Sequence, residues 1–386
     1  MARSITQFLR DFLTRIRFLL RRDVPFYLFI AVYTLAGLWF LDAVGALDQA
    51  AFLAYRVQWP LVFGVVLPMV AFGADGVMIA IKFRKHRMLA ARRLFSPSRM
   101  AHFVAGLALL MAFSLFQGDF TSIKNGLPVL RGGFVYDTTQ ADLDALIHFG
   151  TDPWRFLYMI GEYDIVRTVV EWNYNVMWFL ICFGVLFFVA TSPTVAHIRS
   201  RYLVCFCAVW VLIGNLFAGA FLSAGPAFHG LVTGDTARFA EQLAFLAHGA
   251  SSPNSAVSYQ HYLWNAYESG KGSFGSGISA FPSIHVALIT LNALFLYEQN
   301  RKCGIVAFVY VLFVAASSVY LAWHYAIDGY VSIMLTAAIY YTAKKWAGSA
   351  LFQPGNAVGA PLLDLAARHA LAGKSRRTVA QRLTVS

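Results

Sequence analysis

Trp178-Phe179-Leu180-Ile181-Cys182-Phe183-Gly184-Val185-Leu186-Phe187-Phe188-Val189-Ala190 decides the class of this chain. It sits in a longer run, Trp172 to Ile198, that holds no Asp, Glu, Lys or Arg. Lipid offers no hydrogen bonds, so a run of this kind must pair its backbone within a helix. Seven further runs read the same way. The expected spans are roughly 25–45, 59–81, 101–117, 174–191, 202–223, 280–297, 304–323 and 326–343. The reading is an all-α integral membrane protein of about eight helices.

Composition agrees. Of 386 residues, 59% are hydrophobic and only 13% are charged, and mean hydropathy is +0.59. These values exclude a disordered chain and a disulfide-rich secreted module, and argue against an ordinary soluble multidomain protein. Cys182, Cys205, Cys207 and Cys303 have neither a disulfide context nor a zinc-like spacing.

The net charge of +12 is sorted by position. With the N-terminus inside, 24 of the 31 Lys and Arg fall in cytoplasmic segments: the N-terminus, three loops and the tail. The basic balance therefore reads as topology and anionic lipid contact, not nucleic-acid binding. The opposite side is acidic: residues 118–173 carry Asp119, Asp137, Asp142, Asp144, Asp152, Glu162, Asp164 and Glu171. Short interfacial helices are expected there, one starting at Thr151-Asp152-Pro153 with an oxygen cap, and Trp154 and Trp172 near the head groups.

The organisation follows: residues 1–24 as an amphipathic helix on the inner surface, 25–99 as two spans with a basic loop, 100–343 as a catalytic membrane domain, and 344–386 as a basic cytoplasmic tail. The expected location is a bacterial inner membrane, with the site facing outside. Asp75 is expected to pair with a nearby base or a loop amide.

Two segments carry groups that lipid would reject. In Ala280-Phe281-Pro282-Ser283-Ile284-His285, Pro282 suits the first helical turn, which leaves the N–H groups of Ser283, Ile284 and His285 free as an anion site. Ser283 adds a hydroxyl, and His285 could protonate a leaving group. In His324-Tyr325-Ala326-Ile327-Asp328, the four-residue spacing faces imidazole and carboxylate the same way on a helix. The carboxylate fixes the tautomer and leaves the other ring nitrogen free to attack. The charge-derived topology puts both segments at one membrane face. Together they suit phosphoryl transfer through a phosphohistidine.

These segments resemble the type-2 phosphatidic acid phosphatase superfamily, whose second motif is Pro-Ser-Gly-His and whose third ends His-x-x-x-Asp. The version here is closer to the branch of inositol phosphorylceramide synthases, sphingomyelin synthases and bacterial relatives. Ser223-Ala224-Gly225-Pro226 and the stretch from Ser122-Ile123-Lys124 to Asp152-Pro153-Trp154 are similar to bacterial members. The resemblance covers roughly 100–343 and implies a six-helix core with two added N-terminal helices. It implies His324 as nucleophile, Asp328 as its orienting partner, His285 as general acid then base, Ser283 on phosphate, and no metal or other cofactor. Partners are membrane lipids: a phospholipid donor, and water or a lipid or polyol hydroxyl as acceptor. Oligomeric state stays open.

The departures bear on charge. Gly225, Ala218 and Ser318 stand where the superfamily carries cations, and Ile284 replaces the motif glycine. Phosphate still needs neutralisation, for which Lys124, Arg131, Arg238 and Lys271 are the external candidates. Fewer cations lean the reading toward phosphodiester chemistry. His229, His248 and His261 could line the way in for substrate. The rival readings are a lipid transporter or flippase using the histidines for proton coupling, and a haem-bearing membrane cytochrome.

Overall fold

A computed structural model describes residues 5–81 and 84–347. Those residues form helices and connecting turns, with no strand. The helices that build the site are α1 Ile5–Ala43, α2 Leu47–Ile81, α3 Pro97–Arg131, α4 Asp137–Ile147, α5 Pro153–Gly161, α6 Asp164–Thr191, α7 Pro193–Ala220, α8 Ala256–Ser269, α9 Ile284–Gln299, α10 Arg301–Tyr320 and α11 Ala326–Trp346.

Among the described residues, six helices are long and apolar enough to cross a membrane: α1, α2, α3, α6, α7 and α10. The other two expected spans are α9 and α11. Helix α9 is only 16 residues long, because Pro282 and Ser283 lie outside it. Helix α11 interrupts its apolar run with Asp328, Ser332 and Thr336. Helix α9 packs against α10 and α11, and Thr290, Asn292, Asp328, Ser332 and Thr336 are buried.

The N-terminal segment departs from expectation. One unbroken helix, α1, runs through both the expected surface helix and the first span, with Pro25 inside it. Helix α1 lies along α3. Small residues allow the approach: a Cβ added at Gly37 would collide with the Asp119 carboxylate. Further toward the N-terminus, Asp23 of α1 accepts both ends of the Arg199 guanidinium from α7, at 2.5 and 2.7 Å. Both residues are fully buried, so the fork is a matched pair in a medium that punishes either charge alone. Asp75 pairs with Arg99, as its position suggested. The tail beyond residue 347 lies outside the described residues.

Helix α3 has a legible start and stop. The Ser96 hydroxyl accepts the Arg99 N–H, Pro97 takes the first turn, and Gly132 ends the helix at φ +69°. Its 35 residues carry Lys124 from the core of the bundle toward the acidic layer.

That layer is structural. The Asp137 carboxylate accepts the N–H groups of Ala224 and Gly225 at 2.7 and 2.8 Å, and the Tyr325 hydroxyl at 2.8 Å. Asp144 accepts the N–H groups of Ala326 and Ile327, at 2.9 and 3.0 Å, and so caps α11. Helix α5 does begin at Pro153, but Asp152 makes no cap bond. Its carboxylate instead holds Arg238, which also bridges to Asp142. Trp154 is buried beside Tyr158 rather than placed at head groups, whereas Trp172 is exposed.

Candidate active site

The second-motif segment folds one residue out of step with expectation. Helix α9 starts at Ile284, and Ser283, not Pro282, stands at its N-cap. The Ser283 hydroxyl accepts the Val286 N–H at 3.4 Å, and its own N–H donates to the Asp328 carbonyl at 3.3 Å. Ser283 is fully buried. It fastens α9 to α11 and does not line the cavity described below; Ser279, four residues earlier, does.

The third-motif pair is also built differently. His324 precedes α11, whose N-cap is Tyr325. Asp328 is the acidic member of a capping box: its Oδ2 accepts the Tyr325 N–H at 3.1 Å and lies 3.1 Å from His324 Nδ1. The two side chains meet because the cap folds His324 back over the first turn, not because they share a helical face. With Asp328 ionised, Nδ1 carries the proton and Nε2 keeps a lone pair. Burial, and then the Lys124 charge, push the His324 imidazole down to about 3, against the contrary influence of the Ala280 carbonyl. The ring is therefore neutral across the physiological range.

His285 occupies the first turn of α9, held between aromatic rings. Its imidazole lies 4.5 Å from the Tyr174 ring, nearly parallel at 15°, and 3.9 Å from the Trp178 ring. The Trp178 indole N–H donates to the His285 carbonyl at 2.9 Å. Among the described residues neither His285 ring nitrogen has a hydrogen-bond partner.

His285, His324, Lys124 and Ser279 share the wall of one cavity of about 380 Å³. The rest of that wall is largely aromatic, with Trp59, Trp178, Phe183 and Trp210 prominent. A cation, two imidazoles and a carboxylate behind one of them, at the end of an apolar pocket, form a constellation able to hold a phosphoryl group on an amphiphile.

The other expected ligands lie elsewhere. Arg131 is exposed beyond the cavity, over the Tyr136 ring, and Lys271 is exposed as well. Arg238 is taken up by Asp142 and Asp152. His229 is buried with Nδ1 3.0 Å from the Tyr325 hydroxyl. His248 and His261 are exposed, and none of the three lines the cavity.

A family model described as PAP2 superfamily matches residues 140–342. The chain belongs to the PAP2 superfamily. That membership makes it, in general terms, a membrane phosphohydrolase or phosphotransferase acting on lipid phosphates. No curated protein and no solved structure matches the chain. The PAP2 match runs from residue 140, within α4, through most of α11, and takes in both histidines. It leaves out α1, α2 and α3, although Lys124, Tyr55 and Trp59 line the same cavity.

Sequence reasoning passed over two parts of this PAP2 site. The aromatic clamp on His285 carried no motif. The pins at Asp137 and Asp144 were read only as an acidic face, yet their seven-residue spacing places them on one side of α4, and that regularity was the available signal.

Proposed function

We propose that this protein transfers a phosphate or phospho-head group from a membrane lipid through a covalent adduct on His324. The carrying observation is convergence: His324 with Asp328 behind it, His285 and Lys124 reach one cavity from two helices and the cap of a third. The lone pair of His324 Nε2 attacks phosphorus. The P–N bond forms, the P–O bond to the leaving group breaks, and His285, having taken up a proton alongside the anionic donor, passes it to the departing oxygen. In the second step His285 takes a proton from the acceptor hydroxyl, whose oxygen attacks phosphorus and breaks the P–N bond. Asp328 stabilises the imidazolium that forms between the steps. Lys124 offsets charge on the non-bridging oxygens.

The acceptor sets the outcome. Water gives a lipid phosphatase, and a lipid or polyol hydroxyl gives head-group transfer of the synthase kind. A single cavity cation supports the second, because a phosphodiester carries less charge than a monoester. The site is proposed to face away from the cytoplasm, in keeping with the basic loops on the other side.

The test is incubation of the purified protein with lipid phosphates and phosphodiesters, with and without alcohol acceptors, products being read by mass spectrometry. Release or transfer of phosphate by the unsubstituted protein and none by His324→Ala is the expected result. Equal turnover by both would overturn the assignment. A flippase using the histidines for protons would move lipid without altering it.

A further inference from the structure

The cavity, at about 380 Å³, is larger than a phosphoryl group requires, and the part of its wall on α3 is not inert. Gln117, Thr121 and Lys124 all line it from α3. Their spacing of four and then three residues places them on one face, and the seven-residue rise separates Gln117 from Lys124 by about 10 Å along the helix. Thr121 is already engaged: its Oγ1 lies 2.7 Å from the Tyr55 hydroxyl of α2. Gln117 is not. It is only 2% exposed, yet its amide makes no hydrogen bond among the described residues. Its Nε2 is buried with no acceptor, which is unfavourable unless something else completes it.

A second group on the same wall is in the same condition. Trp210 packs on Phe120, ring centroids 4.5 Å apart, and Phe120 sits one turn from Gln117. The Trp210 indole N–H has no acceptor, and an indole can only donate. Whatever answers it carries an acceptor. Past this point the wall is apolar, with Trp59, Phe179 and Phe183.

Resting on the proposed reaction, we infer that Gln117, with Trp210 beside it, recognises the acyl carbonyl of the lipid donor. An acyl lipid with its phosphate at the tip of Lys124 is a few backbone bonds from its first carbonyl, and its hydrocarbon chains follow. The wall presents the same order: a cation, then orphan donors, then aromatic surface. The amide of Gln117 turns its NH₂ to the carbonyl, because the oxygen and nitrogen of such a group are interchangeable in place. Gln117 lies on α3, with α2 beside it, outside the stretch that matches the PAP2 family, and Trp210 lies within that stretch. Helix α3 thus contributes to selecting the lipid class.

The test uses full-length protein carrying His324→Ala, with Gln117 kept or changed to Met or Leu. Each is titrated by native mass spectrometry with two lipid phosphates of equal chain length, one ester-linked and one ether-linked. With Gln117 the ester lipid is expected to bind about tenfold tighter. Gln117→Met is expected to bring the two within about twofold by weakening the ester lipid alone. An unchanged ratio, or equal weakening of both lipids, would overturn the subsite. Melting of each variant confirms folding, and the two replacements guard against a packing defect in one. Turnover by the unsubstituted protein is assayed alongside. Turnover without ester preference removes the subsite and leaves the reaction; preference without turnover removes the reaction and leaves the subsite.

Discussion

The Lys124 ammonium acts on the His324 imidazole across the cavity, although Lys124 precedes the stretch that matches the PAP2 family and His324 lies within it. The only cation in the cavity wall among the described residues thus comes from α3. Lys124→Met is expected to lower kcat/KM by roughly 10²–10³, as loss of a preorganised charge does. Arg131→Ala and Lys271→Ala are expected to stay within about threefold. A side-by-side steady-state assay of the three variants checks the contrast, and equal losses in all three would contradict it.

Asp328 serves His324 twice, as acceptor for the ring and as the cap that folds the ring into place. Asp328→Asn keeps the shape but favours the wrong tautomer. It is expected to reduce kcat by about 10²–10⁴, with a much smaller change in lipid binding. Single-turnover kinetics separate the two effects.

The pH dependence has a defined sign. His324 is held down to about 3 against an ordinary 6.5. Between those values the unfolded chain binds a proton that the folded chain refuses, so stability is full above about 6.5 and falls as pH drops toward 3. His324→Gln is expected to flatten this loss. Melting curves at about pH 7 and about pH 4.5 measure it, and an unchanged slope would show that His324 is not the group responsible. Lys124→Met, by removing a repelling charge, is expected to move the His324 titration upward in histidine-labelled NMR spectra.

Much of this was legible beforehand, for identifiable reasons. The apolar runs exposed the helical bundle because lipid permits few alternatives. His324 and Asp328 were recognisable as a pair only in company with the Ser283–His285 segment on the same membrane face. The mechanism of their meeting was not, since spacing of four fits a helix face and a capping box equally well. Ser283 looked like a phosphate ligand because a hydroxyl beside a helix start usually is available; here it is fully buried and does not line the cavity. Arg131 and Lys271 share with Lys124 only a side of the membrane, and charge patterning has no means of ranking them by depth.

The acidic layer yields a stability prediction. Asp144 satisfies two buried N–H groups at the start of α11. Asp144→Ala leaves both unpaired, at about 1–3 kcal/mol each, and loosens the segment that holds His324. A lower melting temperature with reduced kcat is expected. Wild-type melting would show that the cap is dispensable.

The Asp23–Arg199 fork makes the opposite kind of case. Removing Arg199 alone, as Arg199→Met, leaves the buried Asp23 carboxylate with only the Arg22 guanidinium, 3.8 Å away, and is expected to cost about 3 kcal/mol. Pairing it with Asp23→Leu should return most of that loss. Thermal unfolding of the single and double variants decides, and an additive double variant would contradict the buried-pair account.

The account turns on whether phosphorus is ever bonded to His324. Rapid quenching after mixing with a labelled lipid phosphate, followed by peptide mass spectrometry, measures this directly. The expected result is an acid-labile, base-stable phosphoryl group on the peptide holding His324, absent from His324→Ala. Rapid turnover with no adduct, or an adduct confined to another residue, would contradict it.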